Sequence, residues 1–225
     1  MDNTDTAMIL QNSKVIVINK KRVYLFFKRI LDIIFGIIGI IFLIPLSIII
    51  KLVFIFTGDF KPIFFKQKRI GKNGKEFTMI KYRTMVPNAD KVLKDLLSDK
   101  KLAYEYKKNK KIENDPRITK AGRLIRILSL DEFPQFINVF LGDMSLIGNR
   151  PYLPREKNDM GIFYDSIITT KPGLTGYWQV NGRSNVSFRR RLKLESYYSE
   201  NYSFTFDIKI FFKTFLVLIG KKGAK

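Results

Sequence analysis

From Leu31 to Ile50 the chain reads LDIIFGIIGIIFLIPLSIII, twenty residues in which Asp32 is the only charge. Wound as a helix, such a run covers about 30 Å, close to the hydrocarbon thickness of a bilayer. A helix in a soluble core normally keeps a polar face, and this run has none. The sequence therefore predicts insertion into a membrane. No small-residue cleavage site follows, and Val53-Phe54-Ile55-Phe56 prolongs the apolar character, which argues against a cleaved secretory signal.

The flanks do not suit a simple span. Lys14, Lys20, Lys21, Arg22, Lys28 and Arg29 precede the run, and Lys51, Lys61, Lys66, Lys68 and Arg69 follow it. Basic flanks favour the cytoplasmic side of a bilayer, so the two ends compete. Pro45 removes a helical hydrogen bond roughly two-thirds of the way along and predicts a bend. A helix that enters, turns at Pro45 and returns leaves both flanks against anionic headgroups on one side. The alternative is an ordinary proline-kinked span; re-entry is the favoured reading. The chain then divides into a polar and basic leader over 1–28, a re-entrant membrane helix over 29–56, and a larger domain over 57–225. The first twenty residues read as loosely ordered.

Beyond the apolar run, Pro62-Ile-Phe-Phe and Phe77-Thr-Met-Ile-Lys-Tyr flank Gly71-Lys-Asn-Gly74 and predict a short β-hairpin. A phosphate-binding P-loop is rejected there, because its spacing is missing and Glu76 stands where Ser or Thr is needed. Residues 88–110 predict one amphipathic helix, with Val92, Leu93, Leu96 and Leu97 on one side and lysines elsewhere. Near the end, Asp207 to Ile219 is apolar over too short a length to cross, and suits either the interfacial plane or the core. The predicted class is α+β, mostly helical, resting on a membrane surface.

Charge and composition narrow the chemistry. Lys and Arg number 41 against 20 Asp and Glu, a formal +21 that calls for an anionic partner: nucleic acid, an acidic membrane surface or a phosphorylated substrate. The chain has neither Cys nor His. Thiolate or imidazole zinc sites, Ser-His-Asp triads and Cys nucleophiles are therefore excluded. Any metal must take oxygen ligands, which favours Mg²⁺.

The densest chemical signal lies between Asp115 and Pro154. Within it Ser129-Leu-Asp-Glu132 precedes an apolar-periodic run that ends near Leu141-Gly142. Ser129 followed by Glu132 matches a capping box, with Pro134 in a first helical turn, so Asp131 and Glu132 have a purely structural reading as helix-dipole partners. The chemical reading is that one carboxylate faces phosphorus and the other a metal ion, with Arg123, Arg126 and Arg150 nearby to hold phosphate oxygens. An aspartate, ionised above ~3.9 when unperturbed, attacks without a histidine to deprotonate it. Residue types alone leave both readings open.

Six stretches stand in one order: Lys81-Tyr-Arg-Thr-Met85, Asp115-Pro-Arg-Ile-Thr119, Ser129-Leu-Asp-Glu-Phe-Pro-Gln135, Gly142-Asp-Met-Ser-Leu-Ile-Gly148, Arg150-Pro151 and Lys171-Pro-Gly-Leu-Thr-Gly-Tyr-Trp-Gln-Val-Asn-Gly-Arg183. Together they resemble the monotopic phosphoglycosyltransferases, the bacterial sugar transferases that begin capsule, exopolysaccharide and glycan assembly. The resemblance runs from about Lys28 to the C-terminus and is to the short, minimal members, with capsule and exopolysaccharide hexose-1-phosphate transferases the nearest in the Arg150–Lys157 stretch. It implies that residues 57–225 form a catalytic domain on the cytoplasmic face of the bacterial inner membrane. It further implies transfer of a sugar-1-phosphate, glucose or galactose first, from a UDP-sugar to polyprenyl (undecaprenyl) phosphate. Asp131 would carry the covalent phosphosugar and UMP would leave; Glu132 would ligate Mg²⁺; Arg126 and Arg150 would bind phosphate. Lys81, Arg83 and Arg183 are further candidates for substrate contacts. Trp178 and Tyr177 suit either uracil stacking or core packing, the second being favoured. Two positions depart from the family pattern: Asn149 where proline is frequent, and Tyr82 where Phe is frequent.

Two readings compete from other classes. A membrane-tethered nucleic-acid binder would use the basic charge and the aromatics; the lysines are spread along the chain and no such binding motif appears, so nucleic acid is not an expected partner. A membrane scaffold would use the acid pair only as a cap. Membrane lipid is an expected partner, and a homodimer stays open.

Overall fold

The structure is a computed structural model, described here for residues 3–109, 112, 114–182 and 186–219, with side chains from residue 21 onward. Its dominant element is α1 (Asn3–Phe56), which remains helical through Pro45. Residues 3–20 thus take helical backbone where the sequence suggested a loose leader; propagation from a long apolar helix costs little once the helix is nucleated. Among the described residues, α1 is the one helix long and apolar enough to cross a membrane.

The hairpin follows as expected: β1 (Phe64–Ile70) pairs antiparallel with β2 (Glu76–Tyr82), Phe64 opposite Tyr82 and Ile70 opposite Glu76. Its turn needs left-handed backbone at Asn73 (φ 56°) and Gly74 (φ 78°), which only such residues adopt cheaply. The single helix expected over 88–110 is instead two, α2 (Ala89–Leu96) and α3 (Lys100–Asn109). The break is local: Asp99 Oδ1 accepts the backbone N–H groups of Lys101 and Leu102 at 2.7 and 3.0 Å and starts a new helix. Next come α4 (Lys120–Ile127), α5 (Gln135–Leu141) and β3 (Ser145–Ile147), then the single-turn helices α6 (Lys157–Met160) and α7 (Tyr164–Ile167). The chain finishes with β4 (Gly173–Thr175), which lies parallel to β3, then α8 (Tyr177–Val180), α9 (Phe188–Asn201) and α10 (Phe204–Ile219).

One face of α1 is fastened to this body along most of its length. Near its start, Tyr24 and Lys28 both reach the carboxylate of Asp207 on α10. One turn on, Arg29 donates to the carbonyls of Val139 and Phe140 at 2.8 and 2.7 Å, satisfying the C-terminal end of α5. Asp32, the lone charge of the apolar run, is buried and accepts from Ser145 Oγ (3.0 Å) and Leu146 N (2.8 Å) on β3. Close approach continues at Gly39, where an added Cβ would lie 2.2 Å from Cγ of Phe136. Farther along, Leu43, Ile50 and Phe54 form a core with Tyr82, Ala121 and Ile125. Burial of each such side chain stabilises by about 1.5–3 kcal/mol.

The opposite face is bare. Phe26, Ile34, Ile37, Ile41, Ile44 and Ile48 are all exposed. Beside it, α4 packs on α1 through Ala121 and Ile125 and exposes Leu124, Ile127 and Leu128; α10 buries Ile210 and exposes Phe212, Phe215 and Leu216. A contiguous apolar surface of this kind marks an interaction with membrane or another apolar partner. This arrangement is consistent with a membrane-associated protein. A second core, built from Ile70, Tyr152, Met160, Ile167, Phe188 and Leu192, includes no residue of α1.

Candidate active site

The capping-box expectation for Ser129 is overturned. Ser129 has φ 55°, the left-handed conformation that ends α4, and Leu130 N–H reaches back to Ile125 O at 3.0 Å in the manner of a Schellman stop. Ser129 closes one helix rather than opening the next. Residues Asp131 to Pro134 then form consecutive tight turns, with Phe133 N–H donating to Leu130 O and Gln135 N–H to Glu132 O, both at 3.0 Å, before α5 begins. The acid pair is therefore held on a turn, not in a helical first turn. Its neighbours Leu130 and Phe133 pack into the α1 core.

Strand β2 is stitched to this turn. Tyr82 N–H donates to Asp131 O (3.0 Å), and the buried amide of Asn138 on α5 accepts from Ile80 N (3.0 Å) and donates to Thr78 O (2.8 Å). These bonds satisfy the free edge of β2 and aim Lys81 at the pair, where its ammonium meets Glu132 Oε1 at 2.9 Å. The Glu132 side chain remains 40% exposed, so the pair is open to solvent on that side. Burial, then the adjacent Glu132 charge, push the Asp131 carboxyl above the usual range, with Lys81 and Arg126 pulling the other way. Burial also pushes Glu132 up, but Lys81, Arg150 and Arg69 outweigh it and hold that carboxyl below its ordinary value. Two adjacent carboxylates are thus set in opposite directions, as acid pairs with divided roles require.

The other expected residues separate clearly. Arg126 is exposed, donates from Nε to Thr84 Oγ1 (2.9 Å), and acts electrostatically on Asp131. Arg150 has its guanidinium 5.9 Å from the Trp178 ring centroid and its charge within reach of Glu132. Arg83 does not join the site. Its Nη atoms pair with both carboxylate oxygens of Asp59 at 2.9 Å, its Nε donates to Pro62 O, and it lies over the Phe54 ring, which makes it a pin between the end of α1 and β2. Arg183 lies outside the described residues. Tyr177 packs against Tyr197 and Phe206, and Trp178 is buried beside Arg191 (4.5 Å) and Arg150, so both belong to the interior as favoured.

Both departures from the family pattern have structural work. Tyr82 hydroxyl bonds Ser47 Oγ at 2.7 Å, and the buried Asn149 amide donates to Ile167 O and Ser199 Oγ at 3.0 and 2.6 Å. Sequence reading missed Arg69, Arg191 and Glu195. All three are buried near Arg150, and only tertiary structure brings them there, since residues 69 and 191 come from opposite ends of the domain.

Fold and site together define a membrane-associated α+β protein that presents a half-buried carboxylate pair, wired to a lysine, beside a group of arginines. The chain belongs to the bacterial sugar transferase family, whose pattern matches residues 23–221. It is 40% identical over 99% of its length to an undecaprenyl-phosphate galactose phosphotransferase of Salmonella typhimurium, of which it spans 47%. It is 36% identical over 88% of its length to the exopolysaccharide production protein ExoY of Sinorhizobium fredii, spanning 87% of that relative. Its identity to a UDP-N-acetylgalactosamine-undecaprenyl-phosphate N-acetylgalactosaminephosphotransferase of Aeromonas hydrophila is 34% over 90% of the chain and 46% of the relative. The chain therefore spans about half the length of two of these relatives and most of the third.

Proposed function

We propose that the protein transfers a sugar-1-phosphate from a UDP-sugar to undecaprenyl phosphate at the cytoplasmic face of the bacterial inner membrane, as the first membrane step of polysaccharide or glycan assembly. The single observation that carries the reading is the Asp131–Glu132 pair, half-buried beside the α1 core, near the charges of Arg150 and Arg69, and held by Lys81. Asp131 carboxylate attacks the sugar-bearing phosphorus; the P–O bond to UMP breaks and UMP leaves with the electron pair. The ionised phosphate of the polyprenyl carrier then attacks the same phosphorus, and the Asp131 carboxylate leaves. Burial raises the basicity of Asp131 and hence its nucleophilicity, while Lys81 and Arg126 oppose that rise and favour the charged form. Arg150 neutralises phosphate oxygens.

A divalent cation suits the site. Lys81 occupies Oε1 of Glu132 and leaves the partly exposed Oε2 for a hard ion, and Mg²⁺ characteristically takes one or two carboxylates together with substrate phosphates and water. Among the described residues no group of three acidic side chains converges, so substrate oxygens must complete the shell. When bound, Mg²⁺ supplies charge neutralisation of the diphosphate.

The same packing supports re-entry of α1. Residues near both ends of its apolar run, Lys28 to Asp32 and Ile50 to Phe54, and its middle at Gly39 and Leu43 all rest on one body, so one face of the helix is covered by protein along the whole run and lipid can meet only the other. The donor sugar proposed first is galactose or glucose; galactose has the support of the Salmonella relative.

Purified protein with Mg²⁺, a panel of UDP-sugars and undecaprenyl phosphate tests the reading by UMP release. The expected result is lipid-dependent turnover with one preferred donor, and a phosphosugar adduct on the Asp131 peptide by mass spectrometry when the lipid is withheld. Turnover with full activity in Asp131→Asn would sink it and leave the pair as a structural turn.

A further inference from the structure

Among the described residues, four buried donor nitrogens around Arg150 have no hydrogen-bond partner: Nε of Arg69, Arg150 and Arg191, and Nε1 of Trp178; the Tyr152 hydroxyl beside them interacts with the Glu195 carboxylate. Arg69 is 7% exposed and Arg191 8%. They form one neighbourhood. Arg69 Nη1 donates to Pro151 O at 2.9 Å, the Arg150 and Arg191 guanidiniums share the Trp178 ring, and Arg150 N–H donates to Glu195 Oε1 at 2.9 Å. Three like charges placed together with idle donors are costly in a folded protein unless an anion meets them. Burial and then Arg150 lower the proton affinity of Arg69 and of Arg191, the electrostatic mark of that crowding. Glu195, which also positions the Arg150 backbone, and the buried Glu156 supply two compensating carboxylates against three guanidiniums, which leaves the cluster net positive.

We propose that Arg69 and Arg191, flanking Arg150, form a subsite for the nucleotide phosphate, the one that leaves as UMP. The inference rests on the transferase reading above and adds two residues to it. A diphosphate whose sugar-bearing phosphorus faces Asp131 carries its second phosphate one bridging oxygen farther on. Arg150 and Arg69 act electrostatically on Glu132, and Arg69 lies on β1, the hairpin partner of the strand that carries Lys81, so the group stands beside the acid pair. The nucleotide is favoured over the lipid phosphate by the two cores. Leu130 and Phe133, on either side of the acid pair, pack with α1, whereas the arginines border the core of Ile70, Tyr152, Phe188 and Leu192, in which α1 has no part. The lipid substrate approaches from the α1 side and the soluble one from the other.

The test is equilibrium binding of UMP and of uridine to the full chain in zwitterionic nanodiscs, with KM for undecaprenyl phosphate measured in parallel. In the wild type the phosphate should improve affinity over uridine by at least about 100-fold, since several charge-assisted bonds are made. Arg191→Met should weaken UMP by about 10- to 100-fold, leave uridine unchanged and leave KM for undecaprenyl phosphate unchanged; Arg191→Lys should recover part of the loss. Equal affinity for UMP and uridine in the wild type overturns the subsite without need of a variant. So does a loss in Arg191→Met that appears only in KM for the lipid, which would assign the cluster to the lipid phosphate. Arg191-dependent UMP binding in a protein that releases no UMP from any UDP-sugar leaves the subsite standing and sinks the transferase reading instead.

Discussion

Glu195→Gln should make the protein more stable at pH 8 and leave it unchanged at pH 4.5. Glu195 is 1% exposed, and burial first of all pushes its carboxyl from the ordinary 4.5 up to about 7, the Tyr152 hydroxyl, the N–H of Arg150 and the charges of Arg191 and Arg150 only partly opposing. Below the unfolded value both states are protonated and the group contributes nothing to the pH dependence. Between 4.5 and about 7 the native state holds the proton that the unfolded chain has released, so unfolding free energy falls as pH rises. Above about 7 the full cost of an ionised, buried carboxylate is present, at most ~3 kcal/mol for a gap of this size. Glutamine keeps the shape and cannot ionise. For a chain of this length that converts to a melting temperature about 6–12 °C above wild type at pH 8. The assay is thermal unfolding in detergent by intrinsic fluorescence, at intervals from pH 4.5 to 8.5, on both proteins. A difference that stays constant with pH, or a variant less stable than wild type at pH 8, would refute the reasoning and mean that the three guanidiniums keep Glu195 charged in the folded state.

Other expectations follow from the site and from α1. The acid limb of kcat/KM should fall above the ordinary aspartate range, and Lys81→Met should move it to still higher pH, because Lys81 lowers the Asp131 value; rate profiles from pH 4 to 8 check both. Chelation by EDTA should abolish UMP release, with Mg²⁺ restoring it, if Glu132 completes a metal shell. Gly39→Ala should lower the melting temperature by several degrees, since its Cβ meets Phe136 at 2.2 Å and overpacking costs about 1–3 kcal/mol, while Ile41→Ala on the bare face should shift it little in detergent. The chain has no Cys, so Arg22→Cys and Lys61→Cys can be labelled without background in right-side-out and inverted vesicles; re-entry predicts both labelled only from the cytoplasmic side, and a label on one from outside means a span.

What the sequence made legible was local. The apolar run, the Asn73-Gly74 turn and the stop at Gly142 are each written in a few adjacent residues, and each stands where expected. Reading failed where a short motif had two uses. Ser129 and Glu132 have the spacing of a capping box, yet the serine adopts positive φ to end α4, a choice set by how Leu130 and Phe133 must reach the α1 core. Asp99 falls within the stretch expected as one helix over 88–110, while its carboxylate caps a new helix. Arg83 stands two residues after Lys81 in the Lys81–Met85 stretch, and only the folded chain shows Asp59 claiming its donors. The arginine cluster was invisible for a different reason: its members are 122 residues apart in the chain, and nothing local in either segment distinguishes a buried guanidinium from a solvated one.

Tyr82 joins the apolar helix and the turn that carries the proposed nucleophile into one unit. Its side chain lies in the α1 core with its hydroxyl on Ser47, two residues after Pro45, and its backbone N–H holds the carbonyl of Asp131. The bend-prone part of α1 and the proposed nucleophile are therefore joined through a single residue of a rigid hairpin. Lys81, its neighbour in the strand, points to the other carboxylate of the pair. Any shift of α1 relative to the body moves the strand, and with it both the backbone support of Asp131 and the counter-ion of Glu132. For a reaction between a lipid-bound phosphate and a soluble nucleotide, the height of the nucleophile above the lipid plane has to be fixed, and a loop tethered only to its own domain does not fix it. The Ser47–Tyr82–Asp131 connection does, which is a physical reason for an acid pair to lie on a turn against α1 and not at the start of a free helix.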